Sequence, residues 1–277
     1  MKTSDFDYEL PLERIAQTAA EPRDRSRLMV LSRKDGNIEH LYFYQIGDYL
    51  RRGDVLVCND SRVIPARLYG RKVNGGAKVE LLLLRRLERG VWETLARPGR
   101  RLKAGAMVEL GEGSIIEAQV IEKKDNGTVI VRLSDEEALE KAGAVPLPPY
   151  IHTPLADPGR YQTVYAQEKG SVAAPTAGLH FTPELMSSLQ DKGVRFLFIT
   201  LHLSLDSFRP VQVEDPAEHM IHKEYGELTA EAAKELSQAK AEGKRVICVG
   251  TSSVRVLEHA AQKSEGGVEP FAGWVDL

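Results

Sequence analysis

Cysteine is almost absent from this chain of 277 residues, which carries only Cys58 and Cys248. Two thiols in a chain of this length exclude a small disulfide-stapled scaffold. Each ends an apolar run, Val55-Leu56-Val57 and Val246-Ile247, where a small buried residue fits a strand. Their strands can bring them together in space, but a disulfide is not expected in a reducing compartment. Long hydrophobic runs are lacking too: Val79 to Leu84, broken by Glu80, falls far short of the ~20 residues of a membrane helix. The acidic start, Met1 to Leu10, has no apolar core of a signal peptide, so a cytoplasmic location is expected. Charge of one sign is also scarce. A formal net charge of -3 excludes a protein that coats nucleic acid through its overall charge. Walker, Rossmann, His-Glu-x-x-His and Gly-x-Ser-x-Gly signatures are missing, which argues against a zincin metal site or a serine-hydrolase elbow.

What is present is ordinary globular composition, 42% hydrophobic and 28% charged, at a length that suits two domains or one large one. Arg27 to Leu31 and Asp54 to Cys58 read as strands. From Val63 to Leu133 short β-type runs (Val79 to Leu84, Val91 to Ala96, Met107 to Leu110, Ile115 to Ile121, Thr128 to Leu133) alternate with turn residues, which predicts a small antiparallel sheet or barrel. Within it Arg85, Arg86, Arg89, Arg97, Arg100, Arg101 and Lys103 offer a local basic face, or a solvated, salt-bridged surface. Asp135 to Lys141 reads as a brief helix, and Pro146-Leu147-Pro148-Pro149-Tyr150 as a stiff connector, placing a boundary near 150. Beyond it helix and strand alternate: helix from Pro183 to Lys192, strand Val194 to Thr200, a helix capped by Thr229 and ending at Gly243, strand Arg245 to Val249, helix Ser252 to Gln262.

The stretch Gly170 to Thr182 is the most informative. It is small and apolar except for a lone imidazole, His180, and carries Gly170, Pro175, Thr176 and Gly178 just before Thr182-Pro183-Glu184, a helix start. Such a segment permits close approach of a ligand, and a tight connection is the competing reading. Asn59-Asp60-Ser61-Arg62 and Thr200-Leu201-His202 each follow an apolar strand. Phe208-Arg209-Pro210 lies beyond the second, and His219-Met220-Ile221-His222-Lys223-Glu224 holds two imidazoles and a carboxylate. Gly250-Thr251-Ser252-Ser253 joins a strand to a helix, a place where α/β proteins bind ligands and where plain helix capping also puts hydroxyls. The four histidines 180, 202, 219 and 222 lack zinc-ligand spacing, so the pattern favours a metal-free site of His, Arg, Glu and Thr groups.

Taken together these strings resemble the S-adenosylmethionine:tRNA ribosyltransferase-isomerases of queuosine biosynthesis. The matching strings include Phe-Asp-Tyr-Glu-Leu-Pro (6 to 11), Ser26-Arg27-Leu28, Asn-Asp-Ser-Arg-Val-Ile-Pro-Ala-Arg-Leu (59 to 68) and Ala-Arg-Pro-Gly (96 to 99). They continue with Pro-Leu-Pro-Pro-Tyr-Ile (146 to 151), Arg-Tyr-Gln-Thr-Val-Tyr-Ala (160 to 166), Gly170 to Thr182, Phe-Arg-Pro-Val (208 to 211), His219 to Glu224 and Val-Gly-Thr-Ser-Ser-Val-Arg (249 to 255).

The resemblance implies a mixed-sheet α/β catalytic domain, 1–62 with 151–277, interrupted by an antiparallel β-barrel domain at 63–150. It implies transfer and isomerisation of the ribosyl group of S-adenosylmethionine onto 7-aminomethyl-7-deazaguanine at the tRNA wobble position, releasing adenine and methionine. S-adenosylmethionine is then a substrate, with no cofactor, and the protein is expected to be a monomer. His180 and His202 are expected to line the reacting sugar, with His222 or Glu224 as base and Arg209 or Arg255 holding anionic groups. Asn59, Arg62, Arg97, Pro175, Thr176, Gly178, Thr251 and Ser252 complete the expected substrate contacts. Basic groups are expected on the phosphates of the anticodon arm. Ser204 and Asp206 replace two glycines of the family pattern, and the chain stops at Leu277, before a further family segment. A truncated form with an exposed strand edge, or a catalytically impaired tRNA- or adenosyl-binding relative, is the alternative expectation.

Overall fold

A computed structural model describes residues 1–277 apart from 114, 115, 205–210, 212, 220, 263, 265, 277 and the side chain of Arg101. Arg209 and Asp206 therefore lie outside the described residues. The chain divides into two compact units, 1–62 with 149–168 and 174–277, and 63–148 with 169–173.

The chain begins with a hairpin of β1 (Arg27–Leu31) and β2 (Ile38–Tyr42), then β3 (Val55–Asn59) and β4 (Ser61–Val63). The second unit follows with β5 (Arg67–Lys72), β6 (Lys78–Glu88), β7 (Val91–Arg97), β8 (Met107–Leu110), β9 (Ile116–Lys123) and β10 (Val129–Leu133). These six strands form an antiparallel sheet in the order β5-β6-β7-β10-β9-β8, and β8 pairs back onto β5 to close a barrel. Closure depends on Gly70, because a Cβ there would collide with the carbonyl of Glu109 on β8. Leu68, Leu81, Leu83, Leu110 and Ile116 are fully buried. Along β9 burial alternates residue by residue, the period of a strand with one apolar and one solvated face. The helix expected at 135–141 is displaced. Asp135 instead accepts the N–H groups of Glu137 and Ala138 in a turn, and α1 spans only Leu139–Ala142 before β11 (Gly143–Ala144) pairs with β5.

After β12 (Glu168–Ser171) come α2 (Pro183–Asp191), β13 (Arg195–Leu201), β14 (Glu224–Leu228), α3 (Ala230–Ala241), β15 (Val246–Val249), α4 (Thr251–Ala261) and β16 (Phe271–Val275). The first unit is built on a mixed sheet ordered β15-β3-β13-β14-β16. β3 runs parallel to both β13 and β15, while β14 is antiparallel to β13 and to β16. Period-two alternation divides its faces. Val55 and Val57 pack with Leu197, Ile199 and Leu201 against Ala232, Ala233 and Leu236 of α3 and Val256 and Ala260 of α4. Leu56 and Cys58 face Phe43, Phe181, and Leu185 and Leu189 of α2. Alanines on α3 and α4 let those helices sit close to the sheet. The fold is thus an α/β domain interrupted in sequence by an antiparallel barrel. Both cysteines are free: Cys58 packs on the α2 face, and Cys248 pairs with Val57 on the adjacent strand. No helix among the described residues is long and apolar enough to cross a membrane.

Candidate active site

The parallel strands β3, β13 and β15 end at Asn59, Leu201 and Val249, so the loops that follow share the carboxyl edge of the sheet. Pairing of Leu201 with Gly226 and of Val275 with Glu224 brings the start of β14 and the end of β16 to that edge. Ligands of open α/β sheets commonly bind in the crevice outside the carboxyl ends of the strands.

Asn59 is fully buried and bridges strands: its amide donates to the Leu201 carbonyl at 3.0 Å, and its Oδ1 accepts the N–H groups of Leu201 and Ser61. It shapes the edge from beneath. Asp60 emerges next to it and accepts a hydrogen bond from Thr200 at 2.8 Å. Burial, with Glu168 and Glu227 nearby, raises its carboxyl above the usual carboxylate value despite the Thr200 bond. Arg62 is exposed.

His180 closes a single 3-10 turn, Thr176–His180, entered through buried Pro175. Ser26 Oγ is hydrogen-bonded to His180 Nδ1 at 2.7 Å, and the Phe43 ring lies 5.2 Å from the imidazole. Arg23 holds the turn in place by donating to the carbonyls of Leu179, Gln162 and Gly159. Burial lowers the His180 pKa, so the ring is neutral near pH 7, and the Ser26 bond fixes which nitrogen remains for chemistry. Thr176 is exposed. Gly178 has a different reason to be glycine, because a Cβ there would run into the Tyr165 hydroxyl and Thr163 Cγ2. Of those two hydroxyl residues, Thr163 has its Oγ1 buried without a hydrogen-bond partner, while Tyr165 Oη lies against the Cys58 thiol.

His202 follows β13. Its ring lies parallel to Tyr225 at 6.1 Å, its N–H donates to the Tyr225 carbonyl, and its Nδ1 is buried and unpartnered. Burial lowers its pKa while Glu168 pulls the other way. Beside it Glu224 is almost fully buried and bound on both oxygens, by Arg255 at 2.6 Å and by the Ser204 N–H at 2.8 Å. Arg255 also donates to the carbonyls of His222 and Val275. The Glu224–Arg255 pair therefore pins three chain segments, and Ser204, at a glycine position of the family pattern, supplies the N–H that satisfies the carboxylate. His222 lies in neither a helix nor a strand but just ahead of β14.

On β15 the chain turns through Gly250 at φ +86°, and a Cβ there would lie 3.1 Å from Ala177 of the His180 turn. These two loops touch. No side chain caps α4; Ser253 donates to Val249 O, Ser252 is buried and Thr251 exposed, so the capping explanation for this motif fails. The open N–H groups of α4 face the same edge. Arg97 belongs to the barrel unit, where it ends β7 exposed to solvent. Among the described residues no group of three His, Cys, Asp or Glu side chains could hold a metal.

In the sequence Asp60 stands out only as part of Asn59-Asp60-Ser61-Arg62, and Ser26, Thr163 and Tyr165 carry no residue-type signal of their own. Asp60 and Ser26 lie inside the strings quoted above, as do both hydroxyl residues of 160–166, but an uncharged hydroxyl carries no chemical signal until its burial and bonding are known.

A sequence profile described as "Queuosine biosynthesis protein" matches residues 3–277. The S-adenosylmethionine:tRNA ribosyltransferase-isomerase of Dehalococcoides mccartyi (strain CBDB1) is 54% identical over 281 residues, covering 100% of this chain and 82% of that protein. The protein of the same name from Staphylococcus haemolyticus is 51% identical with the same coverage. A crystal structure of an S-adenosylmethionine tRNA ribosyltransferase from Thermotoga maritima is 38% identical, covering 99% of this chain and 78% of that one, with a TM-score of 0.49.

Proposed function

The chain belongs to the queuosine biosynthesis protein family, and from that premise we propose that it transfers and isomerises the ribosyl group of S-adenosylmethionine onto the aminomethyl group of 7-aminomethyl-7-deazaguanine at the tRNA wobble position. Adenine and methionine leave, and the ribosyl carbons end as an epoxycyclopentane. S-adenosylmethionine and tRNA are the substrates. The observation that supports this reading most is the placement around the carboxyl edge of two half-buried imidazoles, His202 just after β13 and His180 in the turn that meets Gly250, with Asp60 bonded to Thr200.

The chemistry needs a base for a proton made acidic by the sulfonium and an acid for the departing adenine. His180 suits the first role: burial keeps it unprotonated and Ser26 holds its orientation. Asp60, whose carboxyl holds its proton to higher pH than a free carboxylate, suits the second, and His202 adds a second neutral imidazole beside the sugar. Thr163 supplies a hydroxyl donor for an oxyanion of the opening sugar. Glu224 and Arg255 act by holding the loop at Ser204 rather than by moving a proton, since each is already engaged by the other. In this reading 1–62 with 151–277 is the catalytic domain, 63–150 the inserted barrel, and exposed Arg62 and Arg97 meet tRNA phosphates, so binding weakens with salt.

The test is to incubate the protein with S-adenosylmethionine and tRNA bearing the deazaguanine base and to follow free adenine and methionine. Stoichiometric release of both with formation of the modified nucleoside is expected. A protein that binds tRNA or S-adenosylmethionine without releasing adenine would be a silent relative instead.

A further inference from the structure

Away from the sheet edge, the β1–β2 hairpin and the 3-10 segment Phe43–Tyr49 carry a second arrangement that the chemistry above does not use. Tyr42 and Tyr44 stand parallel, with ring centroids 5.8 Å apart and planes 7° from each other, yet each is about half exposed, at 49% and 48%. They line a cleft of about 590 Å3 with Pro22, Asp24 and Arg25. Arg27, also exposed, lies across the hairpin from Tyr42.

Two parallel aromatic faces left in water are costly unless something covers them, and the groups around them select the cover. Arg25 and Arg27 form no ion pair among the described residues and offer charge to an anion. Asp24, partly buried, offers an acceptor to an amino group. An aromatic platform flanked by cations is the composition that binds unpaired nucleotides: the base stacks on the outer ring face and the phosphate meets arginine. A peptide partner would not need two cations beside a parallel ring pair.

The platform is also tied to His180. Ser26, between Arg25 and Arg27, points inward to hydrogen-bond His180, and Phe43, between Tyr42 and Tyr44, points inward to pack on the same imidazole. Phe43 N–H donates to the Ser26 carbonyl, locking the two segments together. The outward neighbours of the two residues that hold His180 therefore make the cleft.

We infer that Tyr42 and Tyr44, with Arg25 and Arg27, form a stacking site for an unpaired nucleotide of the tRNA substrate, next to the residue being modified. This rests on the proposed function for the identity of the RNA, but its test does not require catalysis.

Affinity of the full chain for a tRNA transcript and for its anticodon stem-loop is measured for wild type, for the double variant Tyr42→Ala/Tyr44→Ala and for Tyr42→Phe/Tyr44→Phe. The alanine pair is expected to weaken binding roughly five- to hundredfold and the phenylalanine pair to retain it, since a ring suffices for stacking. Arg25→Gln and Arg27→Gln should each flatten the salt dependence by somewhat under one log unit per log unit of salt. Stem-loops carrying 5-iodouridine at each unpaired position in turn should photocrosslink to Tyr42 or Tyr44 from at least one of them. Unchanged affinity of the alanine pair in a folded protein, or crosslinks only elsewhere, would overturn the site. Unchanged RNA affinity with a shift in sedimentation would assign the surface to a second copy of the chain and overturn it equally. A wild type that releases no adenine would sink the functional reading alone.

Discussion

The barrel and the carboxyl edge of the α/β sheet hold their ionisable groups differently. In the barrel, Glu93 on β7 is nearly buried, and each of its oxygens is satisfied: Thr128 donates at 2.7 Å and Lys124 at 3.2 Å to one, Arg85 at 2.8 Å to the other. Burial alone would raise its pKa, and Thr128, Lys124 and Arg85 together outweigh that and lower it. Glu136 is likewise held by Arg86 and the Trp92 indole. At the sheet edge, Thr163 Oγ1 and His202 Nδ1 are buried with no hydrogen-bond partner, while the Tyr165 hydroxyl lies against the Cys58 thiol. A buried polar atom without a partner costs about 1–3 kcal/mol, a cost that an ordered water or a bound molecule removes. The barrel binds its buried carboxylates with its own side chains, as scaffold, although Arg67 Nε there is also buried without a hydrogen bond, whereas the edge leaves an imidazole nitrogen open.

The contrast is broken most forcefully at the imidazoles. His180→Ala and His202→Ala should each lower single-turnover adenine release by about a hundredfold or more, the usual worth of a positioned acid or base, with the melting temperature little changed. Near-normal turnover in both would remove the proposed site. Next comes Arg255→Ala, which leaves Glu224 buried and unpaired. It should destabilise the protein by about 3–5 kcal/mol in urea unfolding, and adding Glu224→Gln should recover part of that loss. If Arg255→Ala were as stable as wild type, the pair would not hold the edge together.

Gly178→Ala sharpens the packing side of the argument. A methyl group there meets the Tyr165 hydroxyl, so a loss of about 1–3 kcal/mol is expected, and Tyr165→Phe should restore most of it. A double-mutant cycle showing no coupling between these positions would refute the contact. In the barrel, Glu93→Gln should cost about 1–3 kcal/mol without altering the rate of adenine release. Because the Glu93 pKa is lowered on folding, its contribution is full above the unfolded carboxylate value and fades as pH falls through the folded one. The penalty of Glu93→Gln should accordingly vanish in strong acid.

The gentlest test is the pH profile. Burial lowers both histidines below their ordinary value of about 6.5, so the unprotonated base persists into mildly acidic solution. The acid limb of kcat/KM should lie below that value. For stability the sign is the same: the unfolded chain takes up protons first, so these groups subtract stability as pH falls from about 6.5 towards the folded pKa. An acid limb above 6.5 would mean an imidazole exposed or paired with a carboxylate.

Much of the fold can be read in the chain. Thr182 and Thr229 cap α2 and α3 as their positions predict, accepting from Leu185 and Ala232. The β-runs between 79 and 133 and the alternation after 183 correspond to barrel strands and to the helices and strands of the α/β unit. What escaped the eye was polar or short. β5 reads Arg-Leu-Tyr-Gly-Arg-Lys, with one fully buried side chain, and becomes a barrel strand because Gly70 admits β8. β16 is recognisable only by its pairing with β14, since Phe-Ala-Gly-Trp-Val carries no turn signal to announce it. Of the candidate site, the histidines and Arg255 stand out by residue type. Asn59 and Glu224 stand out equally, but only contacts reveal that their side chains are bound to the protein itself.

The sequence by itself determined the family, the order of elements and the supply of imidazoles, because these depend on local residue chemistry and on strings that are rare in combination. Only the tertiary structure decided which polar groups are satisfied. Whether a hydroxyl, amide or carboxylate is free is a property of neighbours more than a hundred residues away, as Asn59 on Leu201 and Ser26 on His180 demonstrate. Hydrogen bonding acts over about 3 Å, and only folding brings such distant positions within that range.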